Sequence, residues 1–132
     1  MAQQINDKLT QFQQALSTLE ELVDEPKTNV TRDAGIQRFE YTVEVFWKLL
    51  KTYLYEKEGI DVYTPKSVFR EAGNAGILTE SEIGTCISMI DDRNETVHMY
   101  NESLADEVHG KIENYINVMK SVGERIQKSL TA

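Results

Sequence analysis

Cysteine is nearly absent from this sequence. Cys86 stands alone among 132 residues, so no internal disulfide can form. Its neighbours Ile83, Ile87 and Ile90 suggest a small core residue rather than a nucleophile. With one cysteine and only two histidines, the chain cannot build a tetrahedral zinc site, and neither a metal nor a cofactor is expected. Proline occurs twice, which leaves room for long uninterrupted helices. No apolar run approaches the ~18 residues that a membrane span requires, so no membrane association is expected. The amino terminus, Met1-Ala2-Gln3-Gln4, has neither a basic region nor an apolar signal core, and a cytoplasmic location follows as an expectation. Basic residues are also in deficit. The net charge of −8 argues against broad, non-specific nucleic-acid binding, while leaving room for a small cationic pocket or a basic partner.

What is present is helical periodicity. Ile5, Leu9, Phe12, Leu16, Leu19 and Val23 step by threes and fours, which predicts a helix over roughly residues 3 to 24. The segment from Asp24 to Asn29 breaks it. A second helix is expected from about Arg32 to Glu58, with Ile36, Phe39, Val43, Phe46, Leu50 and Leu54 as its stripe. Tyr41, Val45, Trp47 and Leu49 widen that stripe until little polar face remains. Such a helix is central, or faces both the core and a second subunit. Glu44 and Lys48 form a favourable i,i+4 pair. Gly59 ends this helix. Thr64-Pro65 opens a short third one through Val68, Phe69 and Ala72, and Gly73-Asn74-Ala75-Gly76 stops it. Those glycines lack the Gly-Lys-Ser/Thr of a phosphate loop and read as a turn.

Thr79-Glu80-Ser81-Glu82 is a capping box that starts a fourth helix with Ile83, Ile87 and Ile90 as core positions. A fifth opens at Glu102 or Ser103. Its stripe of Leu104, Val108, Ile112, Tyr115, Met119, Val122 and Ile126 runs nearly to the carboxyl end. His109 falls beside that stripe and reads as structural or surface. The expectation is one all-α domain over residues 1–132: an up-and-down antiparallel bundle of four to five helices that dimerises.

Chemistry concentrates in Arg93-Asn94-Glu95-Thr96-Val97-His98-Met99-Tyr100. Arginine offers a fixed cationic fork that suits phosphate, and histidine exchanges a proton near neutral pH. Metal-free RNA cleavage uses the neighbouring 2′-hydroxyl as nucleophile. It needs a proton-transfer group and a cation for charge developing on phosphorus; His98 can supply the first and Arg93 the second. Residues five apart lie ~140° apart on a helix, so this pair shares a site only if the helix breaks or if two copies meet across a two-fold axis. Asn94 and His98, four apart, can share a face, letting Asn94 orient the imidazole. The carboxylates Asp91, Asp92, Glu95 and Glu102 fit no standard metal spacing. They are read as orienting Arg93 or facing solvent.

Two stretches together, Arg32 to Glu44 with Trp47-Lys48, and Asp92-Arg93-Asn94 through His98-Met99-Tyr100-Asn101-Glu102, resemble the nucleotidyltransferase-substrate-binding proteins of the HEPN superfamily. The resemblance covers roughly residues 5 to 125. It implies a dimerising helical bundle and a minimal nucleotidyltransferase encoded nearby as partner. It also implies a metal-independent endoribonuclease acting on RNA with Arg93 and His98 as the active pair and Asn94 in support. In toxin–antitoxin versions the transferase adenylylates the tyrosine of Arg-x4-His-x-Tyr, here Tyr100, and silences the nuclease. A second implied role is non-catalytic, as a substrate-binding subunit that holds a nucleotide or acceptor in a dimer groove. The chain lacks a Gly-Ser motif followed by paired aspartates and is not itself expected to be the transferase.

Overall fold

The computed structural model describes residues 2–131; the two end residues of the expected 1–132 domain, Met1 and Ala132, lie outside the described part. Among the described residues six helices follow one another: α1 Ala2–Val23, α2 Asn29–Glu58, α3 Pro65–Asn74, α4 Glu80–His98, α5 Glu102–His109 and α6 Ile112–Thr131. Among the described residues there is no strand. None of the helices is long and apolar enough to cross a membrane.

Helix α2 packs against each of the other five. Its breadth of apolar residues explains this. Ile36, Phe39, Val43, Phe46, Leu49, Leu50 and Leu54 are buried on one broad face, whereas Val45 and Trp47, expected to widen it, are only partly buried and Tyr41 is exposed. Phe46 sits between Phe12 of α1 at 5.4 Å and Phe69 of α3 at 6.1 Å, ring centre to ring centre. Such pairs add about 0.5–1.5 kcal/mol each beyond the area they bury. The helix starts earlier than expected, at Asn29. The reason is local: Thr28 and Thr31 cap each other, side chain to backbone in both directions, which stabilises a first turn outside the apolar stripe. At the far end Gly59 adopts φ +68°, a left-handed cap that a side chain would strain. The predicted Glu44–Lys48 pair is present at 3.1 Å.

Helices α3 and α4 are capped by Thr64 and Thr79, as their sequence signals require. Glu82 also takes a fork from Arg125 of α6 at 2.5 and 2.8 Å, which holds its carboxyl below the usual range. The buried phase of α4 differs from expectation. Ile90 is buried, but Ile83 and Ile87 are only partly so; Cys86, Met89 and Thr96 complete the inward face. Burial pushes the Cys86 thiol up to about 12, so it stays protonated and inert.

The largest correction is the carboxyl-terminal helix, which is two helices, making six instead of four or five. At Gly110-Lys111 the backbone tightens: Lys111 N–H bonds Val108 O at 2.9 Å, and the Tyr115 N–H to Lys111 O bond starts a new helix. The side-chain stripe keeps its step across the break, which is why periodicity alone did not reveal it. Beyond the break, Lys111 and Tyr115 both reach the buried Asp92 of α4, at 3.2 and 2.5 Å.

Two helical glycines give opposite expectations. A Cβ at Gly123 would stand 2.7 Å from Cε2 of the buried Phe12 ring, whereas at Gly84 it would meet nothing within 4 Å. Gly123→Ala should lower the urea midpoint, because overpacking of roughly 1–3 kcal/mol outweighs the gain in helix propensity. Gly84→Ala should raise it, by about 0.5–1 kcal/mol in stability. Equal shifts of one sign would show that the α1–α6 contact is looser than described.

Candidate functional site

Tyr100 lies in the connection between α4 and α5, fixed on both sides. Met99 caps α4, and Asn101 caps α5 by accepting the Leu104 N–H at 2.8 Å. The phenol is half exposed. Its hydroxyl donates to Asp33 Oδ1 and receives Nη2 of Arg32 at 3.2 Å. Arg32 also donates Nε to the same Asp33 oxygen at 3.0 Å, closing a triangle of phenol, carboxylate and guanidinium.

Arg32 is the best-buried charged side chain of this region, with its side chain 5% exposed. It fans out to four acceptors, adding Glu102 and Asp106, each at 3.3 Å. Asp106 takes Lys27 as well, at 2.9 Å. The bond to Asp33 dominates a rise in the Arg32 pKa, so its charge is permanent. The phenol, followed by the arginine, holds the Asp33 carboxyl below its usual range. The bond to Asp33 in turn raises the Tyr100 hydroxyl above its ordinary value. Sequence reasoning singled out Tyr100 but gave Arg32 and Asp33 no role. A signal existed: Arg32 precedes Ile36, Phe39 and Val43 by steps of four, three and four, in phase with the buried stripe.

Arg93 is elsewhere. It lies on the inward face of α4, opposite α2, with its side chain 26% exposed. It pairs with Glu44 at 3.3 Å and donates to Asn94 Oδ1 at 3.0 Å. Its Nε–H is buried without a partner among the described residues, a cost of about 1–3 kcal/mol. Burial raises the Glu44 pKa, but bonds from Trp47 and Lys48 with the charge of Arg93 outweigh it and keep the carboxyl low. Around this pair a groove of about 390 Å³ is lined by Gln37, Tyr41, Val45 and Val97.

Helix α4 runs unbroken through Arg93 to His98. The two side chains therefore leave it ~140° apart. His98 is exposed, and among the described residues it makes no side-chain hydrogen bond or ion pair. Asn94 bonds Arg93 and not the imidazole it was expected to orient. The hydroxyl of Tyr100 likewise bonds Arg32 and not Arg93. The nearby carboxylates are placed too. Asp91 pairs with Lys66 at 2.9 Å, and Asp92 is buried beneath Tyr115 and Lys111. Glu102 serves Arg32, and Glu95 faces solvent. None of them orients Arg93; Glu44 does. His109, partly buried, borders a cavity of about 230 Å³ with Leu19, Val23 and Gly35. Burial, then Lys27, lowers its pKa and favours the neutral ring. Among the described residues no group of three or more His, Cys, Asp or Glu could hold a metal.

The all-helical architecture is HEPN-like in fold. The same architecture occurs in a tri-AMPylated Shewanella oneidensis HEPN toxin in complex with its MNT antitoxin. That chain has TM-score 0.78 and 13% identity, covering 95% of this chain and 96% of that one. It occurs again in a toxin–antitoxin pair crystallised with AMP-PNP, also at TM-score 0.78 and 13% identity, covering 92% and 96%. At that identity the likeness is one of fold. A Thermus thermophilus protein of known crystal structure is 45% identical with TM-score 0.83, over 87% of this chain and 98% of that one. Residues 7–128 match the model of the nucleotidyltransferase substrate binding protein like family, and the chain belongs to that family. No curated protein matches the chain in sequence.

Proposed function

We propose that this chain is the toxin-type component of a two-gene module. In this reading it is a metal-independent endoribonuclease acting through Arg93 and His98. A partner minimal nucleotidyltransferase neutralises it by adenylylating Tyr100. The observation that carries the reading is the hydroxyl of the half-exposed Tyr100, held between a guanidinium and a carboxylate. A phenol whose only purpose is packing has no need of such a clamp. Family membership supports a transferase as the partner.

The nuclease half requires two copies. Arg93 and His98 leave one helix in different directions, so a working pair draws one side chain from each protomer of a homodimer. The exposed Tyr41 and Val97, which line the Arg93 groove, supply apolar surface for that contact. A second reading is favoured by a specific observation: Arg93 is already tied to Glu44 and Asn94. Under it the chain is a non-catalytic substrate-binding subunit, and Arg93 is a structural ion pair.

Expression of the chain alone and together with the transferase encoded beside it separates the readings. Growth arrest by the chain alone, relieved by the transferase with a mass gain of one or more AMP units, is the expected result. A harmless wild-type chain that is still adenylylated would leave only the substrate-binding reading. Sedimentation showing monomer alone at micromolar concentration would remove the shared site.

A further inference from the structure

We infer that Asp33 is the general base of Tyr100 adenylylation and that Arg32 is the cation that receives the product; this rests on Tyr100 being the acceptor, as proposed above. The geometry already places an acceptor for the proton that the nucleophile must lose. The Tyr100 O–H points at Asp33 Oδ1, so the proton has an acceptor in the ground state. Nη2 of Arg32 approaches the same phenolic oxygen at 3.2 Å, from a side chain almost wholly buried. Base and cation are thus adjacent residues of α2, brought to a tyrosine 67 positions away.

In the reaction a nucleoside triphosphate, supplied by the transferase with magnesium, presents its α-phosphate to the phenol. The Tyr100 oxygen forms a bond to that phosphorus as its proton passes to Asp33. The bond between the α- and β-phosphates breaks, and pyrophosphate leaves with the electron pair. The product is a tyrosyl phosphodiester with one negative charge. Arg32 stands beside the oxygen that now carries it. Lys27, Glu102 and Asp106 face the same clamp from the α1–α2 connection and from α5, and Arg32 is held by the last two. The acidic neighbours balance the guanidinium until the phosphate arrives. A phenol without such a base is a poor nucleophile, since its proton remains in place at neutral pH. Tyr55 and Tyr63 are more exposed than Tyr100, yet neither hydroxyl is bridged between a carboxylate and an arginine. Exposure alone would make those two the better targets; the clamp selects Tyr100.

The test uses the full chain, the transferase encoded beside it, and Mg-ATP, with AMP incorporation followed by intact mass. Asp33→Asn keeps the size and an oxygen for Arg32 but cannot take the proton. Its initial rate should fall by about 10²-fold or more, as general-base removal typically does. That residual rate should climb as pH rises, because hydroxide replaces the lost base, while the wild-type rate stays flat over the same interval. Asp33→Glu, which restores a carboxylate, should recover much of the rate; if Asp33→Asn melts well below wild type, this comparison decides. Wild-type rate and pH profile in Asp33→Asn, or a Glu variant as slow as the Asn variant, would overturn the assignment of the base. Wild-type chain that gains no AMP on Tyr100 would overturn the acceptor reading itself, and the base with it.

Discussion

Arg93→Ala and His98→Ala should each abolish growth arrest by the chain expressed alone, with RNA cleavage reduced about 10²- to 10⁴-fold, the usual contribution of a proton-transfer group or a charge-stabilising cation. Both changes leave the core untouched. His98 is exposed, and Arg93 contributes an ion pair at the rim of a groove. Melting temperatures should therefore move by only a few degrees; variants that unfold would mark the residues as structural. The helical geometry yields a sharper result. If one site takes Arg93 from one copy and His98 from the other, a mixture of the two inactive variants contains heterodimers with one intact site. Equimolar mixing should then restore about one quarter of wild-type activity, from half of the dimers carrying half of the sites. If each protomer carried its own pair, mixing would restore nothing. This complementation reads the architecture of the site directly, without a structure of the dimer.

Tyr100→Phe should eliminate adenylylation and leave any nuclease activity intact, so that the partner transferase no longer relieves growth arrest. The substitution keeps the ring in its half-exposed position between two capped helix ends and removes only the oxygen. What it frees is the Asp33 carboxylate and one donor of Arg32, both of which have further partners or solvent. The fold should persist, and the measurement is intact mass after co-expression. AMP found instead on Tyr55 or Tyr63, the two more exposed phenols, would show that accessibility selects the acceptor and not the clamp. Tyr53 and Tyr115 are buried, and Tyr115 already spends its hydroxyl on Asp92.

Much of the architecture was legible because apolar spacing and capping chemistry agreed. Ile5 to Leu19, Val68 to Ala72 and Ile112 to Ile126 are buried as their steps require, and Thr64 and Thr79 cap as their side chains allow. What escaped did so for physical reasons. The break at Gly110 preserves the apolar step, so periodicity is blind to it. In α4 three isoleucines looked like the stripe, but Cys86, Met89 and Thr96 share the inward face and turn it. At the site, the local string from Arg93 to Tyr100 suggested that its members act on one another. In the fold they face different elements: Arg93 turns to Glu44, and Tyr100 turns to Arg32 and Asp33. The long-range partner of a titratable residue is set by packing between helices, which no window of eight residues contains. Arg32 was still within reach of sequence reasoning, because a charge in phase with a buried stripe must find acceptors.

The chain's single tryptophan, Trp47, donates its indole N–H to Glu44 Oε2 at 3.1 Å, the same oxygen that Arg93 approaches. One carboxylate oxygen thus joins a fluorophore to the residue proposed for catalysis. Drawing the guanidinium away, whether onto a phosphate or onto a second copy of the chain, leaves Lys48 as the remaining cation on Glu44, alters the field at the indole and so changes its emission. The protein carries its own optical gauge of the Arg93 groove. Titrations with oligonucleotide or with concentration can be followed by its intrinsic emission, with no label attached.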